Sequence, residues 1–427
     1  MIKTWNPIIK ETLYGETMDN GLRVFLMPKE GFSKTYGMFA TDFGSVDTTF
    51  VPLGEDKIFH VTDGVAHFLE HKMFDMKDGD ASERFARLGA ASNAFTSNTR
   101  TAYLFSTTAH EMECTELLLD FVQSLDVTEA SVDKEKGIIA QEIGMYDDNP
   151  DWQVYFGAIR NLYHNHPVKI DIAGTVESIQ EIDVALLKRC YDTFYHPSNM
   201  VLFVVGHFDA EDMMAMIRVN QAKKGFTAMA PVVRAQSDEP RTILNKSETR
   251  RMDVSMPKVC VAMKINAIPE SVEGRLKQDL AFGLLTDMCF SKSSPLRYDW
   301  VEKGLINDSF SAGYTQERDY AFYAMDSETD KPEELKDTFY DFIRTIKNEA
   351  LDKTLFERAK KRNIGTMIQV FNSPETIANM FTRYIQCGVN MLDLIAAIQA
   401  MTLDDLKAIL PLFDDKLAAD FTILPTR

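Results

Sequence analysis

The segment GVAHFLEHKMF, residues 64–74, contains two histidines and a glutamate within five residues, H-F-L-E-H at 67–71. On a helix, residues four apart share a face, so His67 and His71 can reach the same metal ion. Glu70 lies near that face, where a carboxylate can take a proton from a water on the metal. The remaining residues are mostly apolar, which predicts a buried helix capped by Thr62 or Asp63. Burying these polar groups is costly unless they are paired or metal-bound.

A metal site is one of two interpretations of this pentapeptide. Two histidines and a carboxylate form a common catalytic zinc set with one open position. The other interpretation is that the two histidines are core residues with hydrogen-bond partners and that the glutamate is unrelated to them; this would produce the same sequence pattern. A third ligand must come from elsewhere, and residues 129–150 (EASVDKEKGIIAQEIGMYDDNP) form a predicted helix with Glu135 and Glu142 on one face. Glu142 lies among apolar residues and Glu135 could orient a histidine, but a solvated helix face with Lys–Glu pairs fits equally well.

Strand and helix signals alternate outward from this helix. Residues 22–41 predict two strands around a turn at Gly31, and residues 92–107 (SNAFTSNTRTAYLFST) predict an extended stretch. The longest apolar run, Met200–Gly206, is typical of a buried strand. It is far shorter than the roughly 20 residues of a membrane span.

The order of elements repeats along the chain. Residues 226–245 carry two prolines and little periodicity, and we interpret them as a linker. On each side of it the predicted order is strands, helix, strands, helices, strand. The sequence therefore predicts an α+β protein of two similar α/β-sandwich halves, each a mainly antiparallel sheet packed with helices. The predicted domains are residues 1–225, with the H-F-L-E-H motif, and residues 246–427, without one.

Composition narrows the function classes. The chain has 427 residues, 45% of them hydrophobic, and a formal net charge of −18. This excludes a disordered chain, and the acidic balance argues against nucleic acid or an anionic membrane as partner. The five cysteines are never spaced as C-x-x-C, and the first residues lack the apolar core of a signal peptide. A cytoplasmic location is expected.

Four ordered segments together resemble one family, the pitrilysin/insulinase family of zinc metallopeptidases, which includes mitochondrial processing peptidase. H-x-x-E-H is the inverted zinc motif of such enzymes. The matching segments are GVAHFLEHKMF (64–74), SNAFTSNTRTAYLF (92–105), EKGIIAQEI (135–143) and YHPSNMVLFVVGHFD (195–209). The chain most resembles a bacterial cytosolic subgroup that is typically encoded beside a second, related subunit. The resemblance implies a processing-peptidase-like fold, also seen in LuxS, with Zn²⁺ as cofactor and peptides as substrates.

The resemblance also implies roles for individual residues. His67, His71 and Glu142 are the implied zinc ligands, Glu70 is the implied general base, and Glu135 is implied to support the ligands. A substrate peptide is expected to add as a new strand along the N-A-x-T signature formed by Asn93, Ala94, Phe95 and Thr96.

One expected feature of active family members is missing from the second half. They usually carry an arginine and, seven residues later, a tyrosine that contact the substrate from the opposing domain. Seven residues after Arg297 stands Gly304. Arg318 and Tyr320 would alternate along a strand, and we interpret them as a solvated arginine and a core tyrosine.

These observations favour a zinc endopeptidase acting on unfolded peptides. Because the zinc motif is complete and the Arg–Tyr pair is absent, we expect the chain to be the zinc-bearing subunit of a heterodimer with a related partner, or else to form a homodimer. Two alternatives stay open. The chain could be a non-catalytic assembly or scaffold subunit of the same fold, or a metal-binding regulatory module without hydrolysis.

Overall fold

The computed structural model describes residues 1–77 and 79–426, which form two compact units by their contacts. The first unit contains Met1–Ile143, Asp171–Gln236 and Ile368–Leu392, and the second contains Gly144–Ile170, Ser237–Met367 and the residues from Asp393 onward. The predicted division into residues 1–225 and 246–427 stays a prediction.

The strands of the first unit are β1 (Ile2–Asn6), β2 (Glu11–Thr17), β3 (Arg23–Pro28), β4 (Thr35–Thr41), β5 (Thr49–Phe50), β6 (Phe59–His60), β7 (Asp75–Met76), β8 (Gly79–Asp80), β9 (Ala91–Thr96), β10 (Thr101–Thr107) and β11 (Met200–Gly206). Those of the second unit are β12 (Ser247–Met252), β13 (Lys258–Lys264), β14 (Ser311–Gln316), β15 (Ala321–Glu328) and β16 (Ala418–Pro425).

The α-helices follow in chain order. They are α1 (Val65–Met73), α2 (Ala81–Arg87), α3 (Glu111–Val122), α4 (Glu129–Asp147), α5 (Pro150–Leu162), α6 (Val176–Gln180), α7 (Val184–Phe194), α8 (Ala210–Ala222), α9 (Val272–Phe290), α10 (Pro295–Glu302), α11 (Pro332–Thr345), α12 (Lys353–Val370), α13 (Pro374–Gln386), α14 (Leu394–Ala400) and α15 (Leu403–Ile409). Within the described ranges, every helix is too short or too polar to cross a membrane.

The two main sheets share the order of five strands, and the first sheet has two additional strands, β1 and β2. The first runs β1-β2-β3-β11-β4-β10-β9 and the second runs β12-β16-β13-β15-β14. In the first, β3 pairs parallel with β11, and the pairs from β11 to β9 are antiparallel. In the second, β12 pairs parallel with β16 and the following pairs are antiparallel. The predicted duplication of a mainly antiparallel sheet is therefore confirmed, and β9 and β14 hold the same edge position in their sheets.

Each sheet is covered by a helix that comes from the other half of the sequence. Helix α13 packs on β11 and β4 of the first unit, where Phe381 stacks on Phe203 with ring centroids 4.2 Å apart. Helix α5 packs on β16 and β13 of the second unit. The approach of α5 is close, because a Cβ at Gly157 would lie 2.3 Å from the ring of Phe421. Burial of these large aromatic faces explains why the helices dock there.

Several elements differ from the sequence prediction. Strands β1 and β2 were not predicted, because β1 is exposed over most of its length and lacks an apolar face. Helices α10 and α14 were also not predicted, since both are short and carry little helical periodicity. The turn predicted at Gly31 is confirmed, with φ +81°.

Candidate metal centre

Helix α1 is built into the interior of the first unit. It begins after Gly64, which has φ +85° and where a Cβ would lie 2.4 Å from the carbonyl oxygen of Ala173. Only glycine fits both constraints. The predicted cap at Thr62 or Asp63 is wrong, because the N-cap is Gly64 and no side chain of the described residues caps the helix. The Thr62 hydroxyl donates instead to the Ser178 carbonyl at 3.1 Å, and the Ser178 hydroxyl donates to the Asp63 carbonyl at 2.9 Å.

The structure brings the three predicted ligands together. The Nε2 atom of His67 lies 3.6 Å from Oε1 of Glu142, and Nε2 of His71 lies 3.5 Å from Oε2 of Glu142. One potential ligand atom from each of the three residues lies within 4.8 Å of the others. The His67 and His71 side chains are 10% and 26% exposed, so the cluster is open to solvent on one side.

This donor set fits a zinc ion. A tetrahedral ion with bonds of about 2.0–2.1 Å to nitrogen and oxygen needs ligand atoms about 3.3–3.4 Å apart, and each imidazole Nε2 has one of the two Glu142 oxygens at 3.6 or 3.5 Å. Two imidazoles and one carboxylate also leave a fourth position open. Because α1 supplies both histidines and α4 supplies Glu142, two rigid helices hold the set.

Electrostatics differ between the two imidazoles. Burial, and then the neighbouring His71, lower the pKa of His67 to about 4, so His67 is neutral at pH 7, the form that binds metals. Burial also opposes the charged form of His71, but the hydrogen bond with Glu135 and the nearby carboxylates outweigh it and raise the pKa of His71.

Glu135 lies behind His71, on the side away from Glu142. Its Oε1 is 3.0 Å from Nδ1 of His71, and its Oε2 accepts a hydrogen bond from Nζ of Lys72 at 3.2 Å. Burial opposes its ionisation, yet the His71 and Lys72 contacts lower the pKa of Glu135 overall. A carboxylate in this position fixes the tautomer and the ring orientation of a metal-binding histidine.

Glu70 points from α1 toward the edge strand β9. Its Oε2 accepts a hydrogen bond from the Thr96 hydroxyl at 2.5 Å. Burial raises the pKa of Glu70, and the Thr96 hydrogen bond opposes that shift. A buried carboxylate with one oxygen held and a raised pKa has the character of a general base or acid.

The N-A-x-T residues lie on β9, at the end of the first sheet. The Asn93 side chain accepts a hydrogen bond from the Ala94 N–H at 2.9 Å, so that N–H points away from β10. Backbone groups alternate in direction along an antiparallel strand, so those of Thr96 face the same open edge. Phe95 is half-buried and contacts the Arg100 guanidinium, 5.0 Å from its ring centroid.

Two features of the site were missed in the sequence. The sequence predicts only substrate binding for Thr96, although its hydroxyl donates a hydrogen bond to Glu70. Lys72 carries no functional signal of its own in the sequence, because a lysine beside a motif is usually a surface residue. The signal that could have found it is its place in the apolar segment 64–74. Tyr320 is buried against Tyr163 and His166, as predicted for a core tyrosine, but lies between β14 and β15 rather than in a strand.

Comparison with known proteins decides the family. The model of the family Insulinase (Peptidase family M16) matches residues 60–176, and that of the Peptidase M16 inactive domain matches residues 181–363. A zinc protease of Bacillus subtilis named YmfH, itself uncharacterized, is 45% identical over 412 residues, 96% of this chain and 95% of the relative. The chain belongs to the M16 insulinase family of peptidases.

Other M16-like proteins agree. Zinc protease PqqE of Helicobacter pylori is 24% identical, with 86% of this chain and 82% of the relative covered. A solved structure described as an M16-like peptidase from Alicyclobacillus acidocaldarius is 35% identical, with a TM-score of 0.93 and all of both chains covered. A solved Helicobacter pylori protease has the same fold, with a TM-score of 0.81 at 20% identity over 97% of this chain and 99% of that one.

These findings confirm the predicted pitrilysin/insulinase membership and the two-halved α+β fold. The histidines are distributed unevenly along the chain. All eight histidines precede residue 208, so the segment that matches the inactive M16 domain beyond that point has none. The H-F-L-E-H motif lies within the segment that matches the insulinase model, residues 60–176.

Proposed function

We propose that this chain is a zinc-dependent endopeptidase that hydrolyses unfolded peptides. The observation that carries the proposal is the convergence of His67, His71 and Glu142, with Glu70 between this cluster and the open edge of β9. Relatives named zinc proteases support the choice of metal. The proposed ligands are those three residues, Glu70 is the proposed catalytic base, and Glu135 is the proposed carboxylate that supports the ligand His71.

The proposed chemistry assigns one task to each residue. When bound, a zinc ion supplies Lewis acidity that acidifies water and polarises a peptide carbonyl. Glu135 accepts a hydrogen bond from the Nδ1–H group of His71, which keeps the proton on Nδ1 and leaves Nε2 free to act as ligand. Thr96 holds Oε2 of Glu70, so Oε1 is the atom that takes a proton from the attacking water. The same carboxyl group then returns the proton to the leaving amine.

A peptide substrate is proposed to bind as an added strand on β9, beside Glu70. Edge strands recognise extended peptides through main-chain hydrogen bonds and therefore accept many sequences. In the structure, the Ala94 N–H at this edge donates a hydrogen bond to the Asn93 side chain. A carbonyl of the bound substrate would replace the Asn93 side chain as the acceptor. Asn93, Ala94, Phe95 and Thr96 are thus the proposed substrate-binding residues.

We further propose that the chain works with a related second subunit in the cytoplasm. The absence of the Arg–Tyr spacing after Arg297 supports the two-subunit arrangement. None of the five cysteines, all of which lie within the described residues, forms a disulfide, which is typical of a reducing compartment. No nucleic-acid or membrane partner is proposed.

The test compares Glu70→Gln with wild type and with Glu129→Gln, an exposed glutamate on α4, as control. Peptide cleavage is measured on a quenched-fluorescent peptide library, and bound zinc by elemental analysis. We expect Glu70→Gln to keep zinc and lose about 10²–10⁴-fold in rate, while His67→Ala loses the metal. Retained stoichiometric zinc in His67→Ala would remove His67 from the ligand set.

A second arm tests the partner. The chain is assayed alone and together with a related subunit that carries the Arg–Tyr pair. Full-rate cleavage by the chain alone would contradict the two-subunit arrangement. If wild type with its partner binds zinc but cleaves no peptide of the library, the scaffold or regulatory alternative replaces the endopeptidase.

A further inference from the structure

Lys72 is a buried lysine next to the candidate metal centre. It lies in the last turn of α1, directly after His71, and its side chain is 2% exposed. Its ammonium group contacts the carboxylates of Asp75 and Glu135. Burying a lysine is costly unless it is paired, and Lys72 contacts the same carboxylate that holds His71.

The two oxygens of the Glu135 carboxylate have different partners. Oε1 lies 3.0 Å from Nδ1 of His71, and Oε2 lies 3.2 Å from Nζ of Lys72. A planar carboxylate held at both oxygens cannot rotate without losing one of these contacts. The line Lys72–Glu135–His71 therefore fixes the plane of the His71 ring as well as its tautomer.

The other imidazole has no such support. The Nδ1 atom of His67 is buried and has no hydrogen-bond partner among the described residues. Metal-binding histidines almost always donate this second ring N–H to a carboxylate, carbonyl or water. Control of ligand orientation through hydrogen bonds is thus concentrated on His71.

We propose that Lys72 is a positioning residue of the metal centre, which holds Glu135 in the orientation that presents Nε2 of His71 to the ion. The inference rests on the proposed function, since it requires a metal at His71. It deepens that function by assigning a role to a residue outside the H-F-L-E-H motif that acts through Glu135 and is not itself a proposed ligand.

If Lys72 acted only through its charge, its removal would change the metal affinity in the opposite direction. A cation near the site repels a divalent ion, so removing the charge of Lys72 would tighten metal binding. Removing a positioning residue weakens it instead, because supporting partners of metal ligands are typically worth 10–100-fold in metal affinity. The direction of the change therefore distinguishes the two roles.

The test measures Zn²⁺ affinity of the full chain by competition with a chromophoric chelator. Lys72→Met is expected to weaken binding 10- to 100-fold, and Lys72→Arg, which keeps a cationic donor, to restore most of it. Asp75→Asn is the matched control, because it removes the other carboxylate partner of Lys72 and leaves the Glu135 contact. We expect this control to bind Zn²⁺ within about threefold of wild type.

A double-mutant cycle tests whether Lys72 acts through Glu135. In a Glu135→Gln background, Lys72→Met should cause no further loss, because the carboxylate that it positions is gone. With Co²⁺ in place of Zn²⁺, both single variants should shift the visible absorption bands in the same way. Additive losses, or different spectral shifts, would overturn the proposal.

The outcomes separate this inference from the proposed function. Unchanged or tighter Zn²⁺ binding by Lys72→Met overturns the positioning role. Failure of wild type to bind Zn²⁺ overturns the proposed function itself. If Lys72→Met does not fold, Lys72→Gln replaces it: its shorter neutral side chain reaches Glu135 poorly, so weaker binding supports positioning and equal or tighter binding contradicts it.

Discussion

Glu239 lies in the predicted linker and anchors the chain where it leaves α5. Its Oε1 accepts the His164 N–H at 3.0 Å, and its Oε2 accepts the N–H groups of Asn165 and His166 at 2.6 and 2.8 Å. Lys264, 3% exposed, donates to Oε1 at 2.5 Å. We predict that Glu239→Gln destabilises the second unit by loosening the end of α5.

The contacts set the size of the effect. Glutamine keeps one acceptor oxygen and replaces the other with an amide NH₂ group, so at least one pair of donors faces another donor. Breaking a buried ion pair by removing one partner costs about 3–5 kcal/mol. Because Lys264 also donates to the carbonyls of Pro240 and Thr242 at 2.6 and 3.2 Å, we expect the lower end, about 3 kcal/mol.

The effect should depend on pH. Burial opposes ionisation of Glu239, but Lys264 and the three N–H groups outweigh it and hold its pKa at about 2, below the ordinary 4.5. Its stabilisation is complete above pH 4.5 and is lost as the pH falls toward 2. After allowance for solvent screening, about 1–2 kcal/mol of the gap between wild type and Glu239→Gln should vanish over that range.

The assay is amide hydrogen exchange of residues 164–166 and of α5, because local protection reports this region and does not require two-state unfolding of the whole chain. Exchange is corrected for its intrinsic pH dependence and compared at pH 7 and pH 3. Glu248→Gln, at an exposed glutamate on β12, is the control and should change nothing. Two results would refute the reasoning. One is a free energy of opening of α5 in Glu239→Gln within about 0.5 kcal/mol of wild type at pH 7. The other is a difference between wild type and Glu239→Gln that is as large at pH 3 as at pH 7.

Three further predictions concern the first unit. Gly64→Ala, at φ +85° with no room for a Cβ, should lower the free energy of unfolding by about 1–3 kcal/mol, measured by thermal unfolding. The control Gly137→Ala on α4, where a Cβ meets nothing, should be neutral or stabilising. Equal melting temperatures of the two variants would contradict this prediction. Phe381→Ala should cost about 3–5 kcal/mol by urea unfolding, and a loss under 1 kcal/mol would mean that α13 does not hold the first sheet. Thr96→Val should slow peptide hydrolysis about 10- to 100-fold, the value of one hydrogen bond to a charged group, without changing Zn²⁺ affinity; weakened Zn²⁺ binding would show that Thr96 acts on the ligands rather than on Glu70.

Local patterns explain why the candidate site could be predicted from sequence. His67 and His71 are one helical turn apart, and Glu135 and Glu142 are two turns apart, so helix geometry alone puts each pair on one face. Placing the two helices against each other required the family resemblance, because no local pattern encodes the distance between α1 and α4.

Local patterns could not predict that α5 and α13 each cover the sheet formed by the other half of the sequence, nor could they predict the role of Lys72. Helix α5 has the same amphipathic pattern whichever sheet it covers, and its partner β16 lies more than 250 residues further along the chain. Lys72 has a long flexible side chain whose polarity predicts exposure. Only the position of Glu135 in three dimensions shows why it is buried.

The packing of α13 on the first sheet has a consequence for synthesis of the chain. Strand β11 completes that sheet at Gly206, but α13 ends at Gln386, roughly 180 residues later. At ~5–20 residues per second, a ribosome needs about 10–35 s for that distance. During this interval Phe203 and its neighbours on β4 have no helix to cover them, so the nascent half that carries the proposed metal ligands exposes an apolar sheet face. The chain is therefore expected to depend on chaperones during translation more than its finished fold suggests.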